Sequence, residues 1–356
     1  MSSSFDSNAA NPKRASQPGR RPPRMAVAGA GAIGCTLAAT LAQAGLPVSL
    51  LARGATLQAA QRDGITLTTA TGRACVPISA SDKAAELGPQ DVVFICTKAQ
   101  DVATILPSLQ PMIGPETLVV PLINGVPWWY FQGIESQFSG NAIQSVDPDG
   151  RLLRLLPINQ VLGAVVFITA ERTAPATVTS LNPMLIILGE LDHTETDRLR
   201  WVAEAIGASG IEGRASPRIR DPLWTKIIAN LTTNPLSVLT EAPLDALYSD
   251  PRLLPLVRQI LLEGFTLAAA YGARIQFDPA TFVSQAVAMG PVRTSMLQDA
   301  LHGHPLELSA IGDAVLELAD LQGIPMPAAR QIVALAHYRN DALGAARQKE
   351  TTNEHA

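Results

Sequence analysis

Residues 25–53 have the sequence MAVAGAGAIGCTLAATLAQAGLPVSLLAR, and this stretch decides the fold of the chain. It begins with an apolar run that predicts a short buried strand. Residues 29–34, GAGAIG, then follow the pattern G-x-G-x-x-G. Apolar side chains recur at helical spacing as far as Gly45, and residues 47–52 predict a second strand. A strand, a glycine turn, a helix and a strand in this order are typical of a dinucleotide-binding site.

The three glycines of this turn are expected to have separate roles. Gly29 allows the tight turn, Gly31 lets backbone N–H groups approach a pyrophosphate, and Gly34 lets the helix pack on the strand. The N-terminus of the helix then faces the phosphates with free N–H groups and a partial positive charge. A tight turn that binds nothing is the alternative interpretation. The residues predicted to bind the cofactor here are Gly29, Ala30, Gly31, Ala32, Ile33 and Gly34.

Arg53 follows the second predicted strand, nineteen residues after Gly34. Proteins that bind NAD usually carry Asp or Glu near this position, where the carboxylate binds the ribose hydroxyls. An arginine can instead pair with a 2′-phosphate through its planar guanidinium group. Arg53 therefore predicts NADPH as the cofactor, and the alternative is a solvated charge at the end of a strand.

The composition of the 356 residues excludes several classes of protein. A hydrophobic fraction of 47% with 16% charged residues indicates a well-packed globular protein. The net charge of −4 argues against nucleic-acid binding, and no apolar run is long enough to span a membrane. The three cysteines form no C-x-x-C motif, which favours a reducing, cytoplasmic compartment.

The order of predicted elements indicates two domains of different class. Strands alternate with helices in the first part, which predicts a Rossmann-type, doubly wound parallel sheet, with further strands covering one flank. The second part has helical periodicity almost throughout and is predicted to be all-α. The predicted division is a disordered tail at 1–24, an NADP-binding domain at 25–213, a helical domain at 214–340 and a polar, frayed tail at 341–356. Trp128 and the three aromatic residues that follow it are predicted to pack in the core.

Two further patterns carry candidate functional residues. Lys98 and Asn124 follow predicted parallel strands, and a ligand of such a sheet binds at the carboxyl ends of the strands. Lys226, Asn230 and Asn234 are spaced i, i+4 and i+8, so they share one face of a helix that Pro235 is predicted to kink. These polar groups need partners or a ligand if they are buried, and the alternative is a solvated stripe. Residues 293–312 are interpreted as a polar connector, and its two histidines lack a third ligand, so no metal site is predicted.

Taken in order, these motifs resemble the ketopantoate reductase family, the 2-dehydropantoate 2-reductases. The resemblance spans about residues 25–338 and rests on GAGAIG, Lys98, Asn124-Gly125-Val126, the Lys226 to Pro235 helix, Ser295-Met-x-x-Asp299 and Glu307. It implies a nucleotide-binding domain and a helical domain with the active site in the cleft between them. It also implies an NADPH-dependent reduction of ketopantoate to pantoate in pantothenate biosynthesis.

The resemblance implies a role for each matching residue. Lys226 corresponds to the catalytic lysine, which gives a proton to the ketone oxygen, and Glu307 to the acid that works with it. Asn230 and Asn234 correspond to asparagines that orient the substrate, and Ser295 to a residue that contacts its carboxylate. Lys98 and Asn124 correspond to residues on the cofactor side, and Asp299 to a position with a structural role.

One departure leaves the substrate open. The family often has Gly-Arg-x-Thr-Glu before its glutamate, whereas this chain has Gly303-His304-Pro305-Leu306-Glu307. The alternatives are therefore a paralogue that reduces another 2-oxo acid and a non-catalytic NADPH sensor. The complete set of polar active-site residues argues against the sensor, which needs no proton donor. A small-molecule 2-oxo acid is the expected partner, and a homodimer is compatible with this fold class.

Overall fold

The computed structural model of the chain describes residues 21–275 and 278–354. The strands are β1 (Met25–Ala28), β2 (Val48–Leu51), β3 (Ile65–Thr69), β4 (Gly72–Val76), β5 (Ser79–Ser81), β6 (Gln90–Ile95), β7 (Ile113–Pro121), β8 (Gly163–Phe167), β9 (Glu171–Ala174), β10 (Thr177–Ser180), β11 (Leu185–Gly189) and β12 (Glu212–Ala215). The helices are α1 (Ala32–Gln43), α2 (Gly54–Asp63), α3 (Ala84–Leu87), α4 (Val102–Leu109), α5 (Arg151–Leu155), α6 (Asp197–Ala208), α7 (Arg220–Thr240), α8 (Leu244–Ser249), α9 (Leu254–Ala270), α10 (Pro279–Ala288), α11 (Ser295–His302), α12 (Ala314–Leu321) and α13 (Pro327–Glu354).

The main sheet is parallel and has the strand order β5-β2-β1-β6-β7. All four residues of β1 are fully buried, because helices cover both faces of the sheet. The strand order reverses between β1 and β6, and this switch point is where doubly wound sheets bind ligands. The turn at residues 29–31, Lys98 and Asn124 all follow carboxyl ends of these strands. The predicted class of fold is therefore confirmed for the first part of the chain.

Two smaller sheets complete the first part of the chain. One has the order β4-β3-β10-β9, and the other has the order β12-β11-β8. In the first of these sheets, β3 and β4 form an antiparallel hairpin. The short strands β5, β9 and β12 are not predicted from the sequence, since SAS, ERTA and EGRA have no apolar alternation.

From α7 onwards the described chain is helical, as predicted. Helix α7 contains Pro235 and continues to Thr240, and the kink at Pro235 stays a prediction. The segment at 293–312 is more ordered than the predicted polar connector, because it contains α11 and a turn of π-helix at Ser309–Asp313. None of the helices within 21–275 and 278–354 is long and apolar enough to cross a membrane.

Both predicted tails need correction where the structure describes them. The predicted frayed tail at 341–356 is helical as far as residue 354, as the end of α13. The predicted disordered tail at 1–24 lies outside the described residues as far as residue 20. Arg21 donates two hydrogen bonds to Asp91, at 2.6 and 2.9 Å, and the backbone N–H of Arg24 donates a third at 2.7 Å. Residues 21–24 therefore attach to the start of β6.

An aromatic cluster with a buried arginine joins the two parts of the chain. Trp128, Trp129, Tyr130 and Phe131 are each at most 1% exposed, so the predicted packing role is confirmed. The indole N–H of Trp224 in α7 donates to the Tyr130 hydroxyl at 2.7 Å. In the same helix, burial lowers the pKa of Arg220 to about 10.

The guanidinium of Arg220 has backbone carbonyls as its partners. It donates to the carbonyl of Tyr130 at 2.9 Å, that of Leu191 at 2.7 Å and that of Gln132 at 2.6 Å. Two buried carbonyls and one partly buried carbonyl thus obtain a hydrogen bond from one side chain at the beginning of α7. The position of this helix relative to the sheet domain depends on that side chain.

We predict that Arg220→Met lowers the free energy of unfolding by about 3 kcal/mol, because it leaves buried carbonyls without donors. Urea denaturation followed by circular dichroism measures the loss. Arg200→Met is the matched control: Arg200 pairs with Asp197 on the surface, and its side chain is 49% exposed. The control should lose less than about 1 kcal/mol. Equal losses for the two variants would contradict the structural role of Arg220.

Candidate active site

The glycine turn after β1 is closely packed at two glycines and open at the third. Gly29 has a φ of +110°, and a Cβ atom there would lie 2.8 Å from the carbonyl carbon of Cys96. A Cβ atom at Gly34 would lie 1.8 Å from the carbonyl oxygen of Gly29. At Gly31, in contrast, nothing lies within 4 Å of the position of a Cβ atom. The open side of the turn fits a group that approaches the backbone closely, as a pyrophosphate does.

The first turn of α1 is available to an anion. Gly31 is its N-cap and has an ordinary φ of −76°, and no side chain caps the helix. The free N–H groups of this turn therefore keep their hydrogen-bonding capacity and their partial positive charge. Ala30, Ala32 and Ile33 complete the turn, so the residues present fit a dinucleotide.

Arg53 lies at the carboxyl end of β2 and is the N-cap of α2. It is exposed, and its guanidinium donates no hydrogen bond and joins no ion pair within the described chain. It differs in this respect from Arg21, Arg198 and Arg220, which are held by protein acceptors. Arg53 thus remains a prediction as the residue that contacts a 2′-phosphate.

Glu307 connects the helical domain to two strand ends of the main sheet. It is 7% exposed and lies just before the π-helical turn. One carboxylate oxygen accepts the backbone N–H of Ala99 at 3.0 Å, and the other accepts the side-chain amide of Asn124 at 3.4 Å. Burial raises the pKa of Glu307, and these hydrogen bonds oppose the rise. Two residues predicted from separate domains, Asn124 and Glu307, are therefore in contact.

Lys98 also reaches across the two domains. Its Nζ forms an ion pair with Asp299 at 2.8 Å and donates to the carbonyl of Pro305 at 2.6 Å. The other oxygen of Asp299 lies 3.3 Å from Nδ1 of His304. Asp299 therefore holds a lysine from the sheet domain, while His304, the family departure, contacts this carboxylate and is exposed. The role of Lys98 on the cofactor side stays a prediction.

Lys226 lies in the second turn of α7, where its side chain points back towards β8. Its Nζ donates to the backbone carbonyl of Val166, and it lies 5.7 Å from the centre of the Phe167 ring. Burial lowers the pKa of Lys226 to about 8, and the negative charge of Glu307 partly opposes this effect. Within the described residues, no carboxylate lies within the 4.0 Å of an ion pair with Lys226. The two predicted catalytic groups are thus near each other but not paired.

The two asparagines continue the same face of α7. Asn234 is 2% exposed and Asn230 is partly buried, and neither side-chain amide makes a hydrogen bond within the part of the chain that the structure describes. Because both amides lack a protein partner among the described residues, their donors and acceptors are available to a ligand. Ser295 is the exposed first residue of α11. The hydroxyl of its neighbour Thr294 lies 2.6 Å from that of Ser237 in α7, which brings the two helices together.

Three groups of this site are not found by sequence analysis. The Val166 carbonyl and the Ala99 N–H are backbone groups, which every residue has, so no pattern marks them. In the sequence, Phe167 is recognisable only as the end of an apolar strand. Its position after a buried run, at a carboxyl strand end, is the single signal in the sequence that could have indicated it.

The fold and the site together define a class: a two-domain oxidoreductase with a Rossmann-type sheet. Residues 25–193 match the family model described as "Ketopantoate reductase PanE/ApbA", and residues 218–340 match "Ketopantoate reductase PanE/ApbA C terminal". The chain is 35% identical to a 2-dehydropantoate 2-reductase of Mesorhizobium japonicum, over 88% of this chain and 96% of that protein. The chain therefore belongs to the ketopantoate reductase family, as its motifs indicate.

Solved structures agree with this assignment. A proposed ketopantoate reductase from Ralstonia solanacearum MolK2 has a TM-score of 0.85 at 35% identity, covering 91% of this chain and 99% of that one. A D-mandelate dehydrogenase in complex with NADH and anilino(oxo)acetate has a TM-score of 0.78 at 20% identity, covering 90% of this chain and 99% of that one. At this low identity the second likeness concerns the fold.

We predict that Gly31→Ala weakens NADPH binding about tenfold or more without unfolding the protein, because its methyl group enters the open side of the turn. Fluorescence titration with NADPH and a thermal melt measure the two effects. Gly207→Ala in α6 is the matched control, since its Cβ atom also meets nothing within 4 Å. If Gly31→Ala binds NADPH as tightly as this control, the turn does not hold the pyrophosphate.

Proposed function

We propose that this protein reduces ketopantoate to pantoate with NADPH in pantothenate biosynthesis, and that Lys226 is the proton donor. The observation that carries the proposal is a partly desolvated ammonium group on a helix whose next two turns present unpaired asparagine amides. Membership of the ketopantoate reductase family supports the choice of substrate. A cytoplasmic location and a homodimer stay predictions.

Different residues of this chain would bind the cofactor and donate the proton. NADPH, when bound, supplies the hydride for the carbonyl carbon. The glycine turn would hold the pyrophosphate, Arg53 the 2′-phosphate, and Lys98 and Asn124 would lie on the cofactor side. The Nζ of Lys226 transfers a proton to the ketone oxygen as negative charge develops there, which avoids a free alkoxide.

The substrate would be oriented by uncharged groups and one acid. Asn230 and Asn234 donate to oxygens of the substrate, and Ser295 donates to its carboxylate. Glu307, held by Ala99 and Asn124, accepts from the hydroxyl group that distinguishes ketopantoate from simpler 2-oxo acids. Burial raises the pKa of Glu307, which makes its carboxylate a stronger acceptor for this hydroxyl.

The test is NADPH oxidation by the purified protein with a panel of 2-oxo acids that includes ketopantoate. Selective turnover of ketopantoate is the expected result. Turnover of other 2-oxo acids alone would make this chain a paralogue with the same chemistry, an alternative that the sequence Gly303-His304-Pro305-Leu306 motivates. Tight NADPH binding without any turnover would instead favour a sensor.

The pKa of Lys226 predicts the pH dependence of the reaction. The protonated lysine is the donor, so kcat/KM for reduction should be level below pH 8 and fall about tenfold per pH unit above it. Oxidation of pantoate by NADP needs the neutral lysine, so its rate should rise with pH through the same region. Steady-state kinetics in both directions measure the two profiles.

Lys226→Met tests the role of Lys226 as proton donor, because it removes the ammonium group and keeps most of the side-chain volume. It should bind NADPH normally and lose activity by about 10²-fold to 10⁴-fold. A variant that keeps wild-type turnover, or the wild-type pH profile, would show that another group donates the proton.

Arg53 predicts the choice of cofactor. We expect Arg53→Ala to weaken binding of NADPH about tenfold to a hundredfold while NADH binding stays unchanged, because only NADPH carries the 2′-phosphate. Arg73→Ala is the control, since Arg73 in β4 is also exposed. An unchanged ratio of the two affinities in Arg53→Ala would contradict the predicted contact.

A further inference from the structure

Phe167 is unusual among the phenylalanines of this chain. It is the last residue of β8 and is 36% exposed, whereas Ala164, Val165 and Val166 before it are buried. Of the phenylalanines that the structure describes, Phe167 alone belongs to the exposed class. The exposed part of the ring is open to a contact from outside the core.

The open ring is beside the ammonium group of Lys226. The Nζ atom lies 5.7 Å from the ring centre, within the distance at which the π face attracts a cation. The same Nζ donates to the carbonyl of Val166, the residue before Phe167. One strand end thus contacts the ammonium group through a carbonyl and through a ring, which restricts where the remaining N–H groups can point.

The geometry of a 2-oxo acid places its alkyl group near this ring. The ketone oxygen must reach Nζ of Lys226, so the two substituents of the carbonyl carbon lie close to the same strand end. One substituent is a carboxylate, which the negative π face repels, and the other is an alkyl group, which packs well on a ring. A carboxylate directed away from Phe167 would meet Asn230, which lies one turn after Lys226 in α7.

We infer that Phe167 is a positioning and specificity residue: its ring fixes the ammonium group of Lys226 and packs against the branched alkyl substituent of the 2-oxo acid. This inference rests on the proposed function. According to this inference, the preference for a substrate with a branched carbon next to the ketone comes from Phe167, a residue outside the polar motifs.

The first experiment compares ketopantoate, which has a quaternary carbon beside the ketone, with pyruvate, which has a methyl group. In Phe167→Ala, kcat/KM for ketopantoate should fall about tenfold more than kcat/KM for pyruvate, since only the larger substituent reaches the ring. Phe167→Tyr, which keeps the ring, should restore the ratio. Leu181→Ala is the matched control, because Leu181 is 58% exposed and lies outside the site.

The second experiment measures the protonation of Lys226 and does not depend on enzyme turnover. Modification of Lys226 by trinitrobenzenesulfonate is followed against pH by peptide mass spectrometry, with the exposed Lys83 as internal reference. In Phe167→Leu the reactive, neutral form of Lys226 should appear about 0.5 to 1 pH unit lower than in the wild type, because a cation–π contact favours the charged form. Phe167→Tyr should restore the wild-type profile.

The outcomes separate this inference from the proposed function. Equal losses for ketopantoate and pyruvate, or an unchanged reactivity profile of Lys226 in Phe167→Leu, would overturn it even if the enzyme is active. If the wild type reduces no 2-oxo acid, the proposed function and the role in specificity both fail. The reactivity profile then decides whether the contact between Phe167 and Lys226 exists.

Discussion

The site depends on one buried guanidinium group that pairs with no carboxylate of the residues that the structure describes. Arg220 donates to three carbonyls of the sheet domain, and Lys226 follows it six residues later on the same helix. A helix is rigid over less than two turns, so fixing its first residue also fixes the direction in which Lys226 points. Carbonyls are better partners here than a carboxylate, because they satisfy the guanidinium without adding a charge that would attract the lysine.

Contacts across the cleft complete the site from both domains. The N–H of Val126 donates to the carbonyl of Ala310 at 2.9 Å, and Gly125 packs so closely there that a Cβ atom would lie 2.3 Å from the same oxygen. Glu307 and the ion pair of Lys98 with Asp299 lie beside this contact. Glu307 of the helical domain and Asn124 at a strand end of the sheet domain can therefore belong to one candidate site only because the domains are packed together.

The sequence predicts most of the fold and most of the polar site, for a physical reason. A glycine turn, a buried strand and a helix face each follow a fixed local spacing. The structure of residues 25–53 and the shared helix face of Lys226, Asn230 and Asn234 can therefore be predicted from residues that are close in the sequence. Contacts between residues that are far apart in the sequence cannot be predicted in this way. The contacts of Lys98 with Asp299, of Glu307 with Ala99, and of Lys226 with Val166 join separate elements, and two of them use backbone groups. The helix at 295–302 is missed because its polar residues hide its periodicity.

Burial acts in opposite directions on the two titrating groups of the site. It lowers the pKa of Lys226 to about 8 and raises the pKa of Glu307, because desolvation penalises the charged form of each. A direct ion pair would cancel both effects and would hold the lysine in its charged form. The structure avoids it: Glu307 accepts from Ala99 and Asn124, and Lys226 donates to the Val166 carbonyl. Each group keeps a neutral partner, so neither has to separate from an opposite charge when a substrate approaches it.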